Sequence, residues 1–271
     1  MDLKNVSAIY FSPTGTTQKT VLAIAQGTGV PFRQIDLTLP ESRRSFRESF
    51  GRNDLIIAGL PVYAGRLPKY LDDFFAGLNC HATPAAAVVL YGNRDYNDAL
   101  IELKMRLEER GCRVISAAAF IGEHTVSAKI ATGRPDANDL AIAADFGKKT
   151  AASLSDTIPV ELNVKGNYPF TWAGFDPAVP SELPRPWLVT TENCAQCKLC
   201  STNCPWAAID PDDSRIRNNS RCMFCYRCFK NCPSHAIEVT GEQFLSFLPQ
   251  FEEMLSKRLE PELFLPGRHQ G

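Results

Sequence analysis

The chain has 271 residues, a formal net charge of −1 and a hydrophobic fraction of 44%. That is room for two domains and one sizeable core, without the bulk charge that drives nucleic-acid binding. No stretch approaches the roughly 18 apolar residues of a membrane span, and the first residues show no apolar signal core, so a cytoplasmic location is expected.

Through the first half, short apolar runs alternate with helical patterns. Strands are expected at 6–11, 32–37, 55–60, 86–91 and 114–120, with helices after Thr17 and at 68–78, 97–110 and 137–154. The helix at 97–110 sets Leu100, Leu103 and Leu107 on one face and stops at Gly111. Such alternation predicts an α/β fold with a parallel sheet covered on both faces.

Ligands of such sheets bind beyond the carboxyl ends of the strands. The loop after the first strand is Ser12-Pro13-Thr14-Gly15-Thr16-Thr17. Hydroxyls and backbone N–H groups at a helix start make a phosphate cradle without a cationic side chain; an ordinary capped helix is the alternative. The loop lacks the Gly-Lys-Ser/Thr ending of a P-loop, and no G-x-G-x-x-G fingerprint occurs. Two further loops leave the same end of the sheet: Pro61, Val62, Tyr63, Ala64 and Gly65, and Gly92, Asn93, Arg94, Asp95 and Tyr96. The connection at 121–135 is long for its place and is expected to form a lid or docking surface. His124 within it reads as a structural hydrogen-bonding residue, with a proton-donor role as the alternative.

The segment 167–187 holds five prolines and the aromatics Tyr168, Phe170, Trp172, Phe175 and Trp187. Exposing that much aromatic surface is unfavourable, so it is expected to pack as a strap across the first domain. The cysteine run that follows is Cys194-Ala-Gln-Cys197-Lys-Leu-Cys200-Ser-Thr-Asn-Cys204-Pro205. It recurs as Cys222-Met-Phe-Cys225-Tyr-Arg-Cys228-Phe-Lys-Asn-Cys232-Pro233. This duplicated Cys-x-x-Cys-x-x-Cys-x-x-x-Cys-Pro run matches the bacterial two-cluster ferredoxin pattern, in which the fourth cysteine of each run serves the other cluster. The expected sets are therefore Cys194, Cys197, Cys200 with Cys232, and Cys222, Cys225, Cys228 with Cys204. Zinc would leave cysteines of each run unexplained, and disulfides are disfavoured without a secretory signal. Eight of ten cysteines used this way imply a reducing environment with little oxygen; Cys80 and Cys112 are assigned no chemistry. Beyond, Phe244, Phe247, Leu248, Phe251 and Leu255 fall at helical spacing around Pro249.

With its three loops, the first part resembles flavodoxin, and the whole chain resembles the fusions of a flavodoxin domain to a two-cluster ferredoxin. The resemblance implies a five-stranded parallel sheet with helices on both faces, plus a small α+β domain carrying two [4Fe–4S] clusters. It divides the chain into an FMN-binding domain at 1–156, the strap at 157–186, the cluster domain at 187–240 and a helical tail at 241–271. It also implies that Ser12, Thr14, Gly15, Thr16 and Thr17 hold the FMN phosphate. The loops 61–65 and 92–96 would then flank the flavin ring, with Tyr63 and Tyr96 as stacking partners. Flavodoxins surround the ring with acids, whereas these loops carry Arg66, Lys69 and Arg94. A cation there is expected to ease flavin reduction.

The expected function is electron transfer between the clusters and FMN, linking one-electron and two-electron partners, either a redox protein or a small acceptor. An FMN-free docking module and a flavin-dependent reductase are the alternatives; no catalytic residue stands out.

Overall fold

A computed structural model describes residues 3–155, 162–178 and 187–266. The expected domain boundaries at 156/157 and 186/187 fall on or beside residues outside this set. So do the prolines at 180, 184 and 186.

The first domain is built from β1 (Asn5–Tyr10), α1 (Thr16–Gly27), β2 (Phe32–Asp36), α2 (Pro40–Ser45), β3 (Glu48–Phe50), β4 (Asp54–Pro61), α3 (Asp72–Gly77) and β5 (Leu78–Cys80). It continues with β6 (Thr83–Tyr91), α4 (Ala99–Glu109), β7 (Cys112–Ile121) and α5 (Ala137–Ala152). Five strands lie parallel in the order β2-β1-β4-β6-β7, the doubly wound order of flavodoxin-like sheets. All nine residues of β6 are buried, as a central strand covered on both faces requires. On one face Val21 and Ile24 of α1 meet Ala143 and Phe146 of α5. The contact is close because a Cβ on Gly27 or Gly147 would come within 1.9 Å of backbone on the facing helix. An Asp136–Asp139 capping box starts α5.

The cysteine-rich part adds β8 (Trp187–Thr190), α6 (Leu199–Thr202), α7 (Arg227–Lys230) and β9 (Ile237–Thr240), then α8 (Glu242–Met254) and β10 (Glu262–Phe264). β8 and β9 pair antiparallel. The tail differs from the expected helix alone: after α8 the chain returns as β10 and pairs antiparallel with β7, making the sheet six-stranded. A three-residue strand carries too little periodicity to read from sequence.

The core on the second face runs without a break from Phe74, Leu100 and Leu103 into Trp206, Met223 and Phe224 of the cysteine-rich part. Arg43 is buried at this seam and donates to the carbonyls of Leu37 (2.9 Å), Thr38 (2.8 Å) and Pro205 (2.6 Å). The described strap residues do pack across the first domain. Asp98, fully buried, accepts from the backbone N–H groups of Asn167, Thr171 and Trp172. Phe175 packs edge-on against Phe224. Cys80 and Cys112 lie buried with their sulfurs 2.9 Å apart. Among the described residues no helix is long and apolar enough to cross a membrane.

Candidate functional site

The cysteine duplication is expressed in the backbone. Gln196 and Phe224, Lys198 and Tyr226, and Ala207 and His235 hold equivalent places in the two runs, and all six have positive φ. Such φ values are uncommon outside glycine, and here they let each loop wrap its cysteines inward. The fourth cysteines also match, since Cys204 and Cys232 each accept a backbone N–H bond at 3.3 Å, from Ala208 and Ala236.

Cys194, Cys197, Cys200 and Cys232 line one apolar cavity near the surface, together with Leu199, Pro233 and Ile237. Cys222, Cys225, Cys228 and Cys204 are brought together deeper in. Burial pushes the first three thiols up, and the charge of Cys204 raises each further. Arg217 opposes this at Cys222 and Cys228, with Nη1 4.0 Å and 3.6 Å from their sulfurs. Its Nε and Nη2 are buried without a partner. A guanidinium with two unpartnered nitrogens beside these thiols is what an anionic thiolate-bound cluster would satisfy. Among the described residues, no three His, Cys, Asp or Glu side chains converge as a single bound ion demands; the outer four thiols instead line a cavity.

The second centre lies at the carboxyl end of the sheet. An inner cavity of about 70 Å³ is lined by Thr14, Thr16, Thr17, Pro61, Val62, Tyr63, Tyr91, Gly92, Gly122, Glu123 and His124. An outer one of about 250 Å³ is lined by Ser12, Thr14, Gly15, Gln18, Asp36, Arg227, Lys230 and Asn231. The loop 12–17 divides them. Gly15 holds φ 88, and nothing lies within 4 Å of where its Cβ would be. The Ser12 hydroxyl accepts from the Gln18 N–H at 3.0 Å, which folds the loop over the start of α1.

Tyr63 joins the two centres. It lines the inner cavity, and its phenol is pushed up by burial and then by the neighbouring Cys225 and Cys222. The deeper cysteine set is therefore the one beside Tyr63, though none of its members lines the cavity, while Cys197 of the other set is exposed.

The remaining loop residues go elsewhere. Tyr96 is fully buried and donates to Glu262 of β10 at 2.7 Å, so it is a core residue and offers no stacking face. Asn93 donates to the carbonyls of Leu255 and Lys257. Arg94 donates to Asn97 and lies 4.6 Å over the Trp172 ring. Asp95 pairs with Lys165. Ala64 and Gly65 sit outside the cavity, with Gly65 against Trp172. Arg66 pairs with Glu102 at 2.7 Å and Lys69 with Asp176. The expected effect of Arg66, Lys69 and Arg94 on a flavin therefore lacks support, because strap residues and acids hold all three.

Tyr91, Gly122, Glu123 and His124 take the vacated places. Gly92 packs on His124, where a Cβ would come within 2.3 Å of the ring. His124 Nδ1 accepts from the Val126 N–H at 3.3 Å, leaving its proton on Nε2. Burial, with the charges of Arg94 and Lys230, lowers its pKa to about 4, so the ring is neutral at pH 7. The rest of the loop docks the tail: Ser127 and Lys129 bind Glu252 of α8 at 2.6 and 3.0 Å.

A family model described as a 4Fe-4S binding domain matches residues 216–238, which span the second cysteine run. This chain joins a flavodoxin-like fold to a 4Fe-4S ferredoxin domain.

Solved structures similar to the flavodoxin-like part include a flavodoxin from the domain Archaea (18% identity, TM-score 0.39, covering 56% of this chain and 99% of that one). Flavodoxin 1 of Bacillus cereus is 19% identical, with TM-score 0.39, over 56% of this chain and all of its own, 100%. Rubredoxin oxygen:oxidoreductase from Desulfovibrio gigas is 15% identical, with TM-score 0.40, over 56% of this chain and 37% of that one. No curated protein matches the sequence. In this fusion the ferredoxin domain covers the flavodoxin-like loops directly. Arg227 of α7 donates to the Pro13 carbonyl at 2.8 Å, and Lys230 pairs with Glu123 at 2.8 Å.

Proposed function

We propose that the chain is an iron–sulfur flavoprotein that carries electrons between two [4Fe–4S] clusters and an FMN. Cys194, Cys197, Cys200 and Cys232 would hold the outer cluster, and Cys222, Cys225, Cys228 and Cys204 the inner one. Ser12, Thr14, Gly15, Thr16 and Thr17 would hold the FMN phosphate. Val62, Tyr63, Tyr91 and His124 would border the ring. The flavin, when bound, supplies the exchange between one-electron and two-electron chemistry. The protein fixes distances, excludes water from the inner cysteines and offers the neutral His124 as a hydrogen-bond donor. A redox protein meets the exposed side at Cys197, and a small acceptor enters at the cavity.

The observation that supports this reading is Tyr63, which lines the cavity and packs against the same core that holds Cys222 and Cys225. Iron, sulfide and flavin content of anaerobically purified protein tests it. About eight irons and one FMN per chain are expected. Four irons overturn the second cluster. An absence of flavin, with none taken up on adding FMN, overturns the flavin site.

One observation favours the FMN-free docking module. The inner cavity, about 70 Å³, falls short of the roughly 300–1,000 Å³ of small-molecule pockets. It suits a phosphate-sized group as it stands, and a ring would have to part loop 61–65 from residues 122–125. Hydrogen exchange of those two segments with and without FMN distinguishes the readings.

A further inference from the structure

The loop 12–17 has hydroxyls but no cation, and a flavin phosphate carries close to two negative charges at neutral pH. The ferredoxin domain brings one to it. Arg227 donates through Nη1 to the Pro13 carbonyl at 2.8 Å. Its Nε is buried and lacks a partner, and among the described residues it has no acidic partner. The charge of Lys230, at the other end of the same short helix, is engaged by Glu123 at 2.8 Å. Arg227 lines the outer cavity with Ser12, Thr14, Gly15 and Gln18, where the space above Gly15 is open. Asp36 on the rim is the opposing charge; it is exposed and accepts from the Thr38 N–H.

We infer that Arg227 belongs to the phosphate site, so that the ferredoxin domain supplies the cation that the flavodoxin-like loop lacks. This inference rests on the flavin reading above. A guanidinium presents paired donors that match phosphate oxygens. Its orphaned Nε is the kind of buried donor that a bound anion satisfies. The ligand would then tie the two domains together, since its phosphate would be held by residues of both. By linkage, FMN would stabilise the docked arrangement and riboflavin would not.

The test uses the full cluster-loaded chain freed of flavin under anaerobic conditions, titrated with FMN and with riboflavin by fluorescence quenching. Wild-type protein is expected to prefer FMN. Arg227→Gln is expected to weaken FMN about 10- to 100-fold while leaving riboflavin within twofold, and Arg227→Lys to recover part of the loss. The phosphorus NMR titration of bound FMN is expected to move toward the free value, near pKa ~6, only in Arg227→Gln. Equal losses for FMN and riboflavin would mean that Arg227 merely positions Pro13, and would overturn the inference with the flavin site intact. So would an unchanged FMN affinity. Wild-type protein that binds neither flavin would remove the flavin reading itself, and this inference with it. Unchanged cluster absorbance in each variant establishes that folding is retained.

Discussion

The guanidinium of Arg43 donates to the carbonyl of Pro205 at 2.6 Å, and its Cζ lies 5.3 Å from the centroids of both the Phe11 and Trp206 rings. Pro205 follows Cys204, so a buried arginine of the flavodoxin-like domain holds the backbone of an inner-set cysteine. Burial lowers the Arg43 pKa to about 10, still charged at neutral pH. Arg43→Ala strands three buried carbonyls and is expected to destabilise the fold by about 3 kcal/mol. Denaturant unfolding followed by circular dichroism and by cluster absorbance checks this. Both signals should move together, because the seam is one continuous core.

Asp98 ties the strap. Burial opposes its charge, but bonds from the Asn167 side chain and from the backbone of Trp172, Asn167 and Thr171 prevail and hold its pKa at about 2. The unfolded value is near 3.9, so the folded state is favoured above that pH. The contribution, about 2 kcal/mol, fades as the pH falls from roughly 4 toward 2. Asp98→Asn should remove this acid dependence and raise hydrogen exchange at residues 167–172. An unchanged acid limb in the variant would refute the assignment.

His124 predicts a limb at higher pH. Its folded pKa of about 4 lies below the unfolded value near 6.5. The unfolded chain therefore takes up the proton first, and stability falls as pH drops through this window, by at most about 3 kcal/mol. His124→Gln should flatten stability between pH 6.5 and 4, measured by thermal unfolding in buffers of constant ionic strength. Arg94 and Lys230 deepen the effect, so Lys230→Ala should shift the His124 carbon NMR titration upward.

On the proposed crossing of the cysteine sets, the fourth ligand of each cluster comes from the other run. Cys204→Ser lies in the first run but should abolish the inner cluster, leaving the outer signal in electron paramagnetic resonance. Cys232→Ser should do the reverse. Loss of the signal belonging to the mutated run would sink the crossing.

The parallel sheet was legible because its central strands β4 and β6 are apolar runs buried on both faces, while the edge strand β2 is largely exposed, and the helices between them carry 3.6-residue periodicity. The duplicated cysteine runs were legible because the spacing is local within each run, whereas the proposed crossing of the fourth cysteines is not local. Tyr96 was misplaced because its loop position says nothing of Glu262, 166 residues away, whose carboxylate draws the hydroxyl inward. His124 stood out within the long loop, but Gly122 and Glu123 did not, since the contacts that seat this stretch come from far along the chain, Phe251 against His124 and Lys230 on Glu123. Arg227 was masked by the cysteines around it. Its approach to Pro13 depends on how the two domains dock, and docking leaves no period in the sequence.

The strand β10 alters how the protein can be made. The edge of β7 that it covers is exposed backbone until residues 262–264 have left the ribosome, after both cysteine runs. A flavodoxin-like domain folding first during synthesis would carry an open sheet edge, a template for pairing with other chains. This strand thus works as a seal on biogenesis: the edge closes only once both cysteine runs have been made.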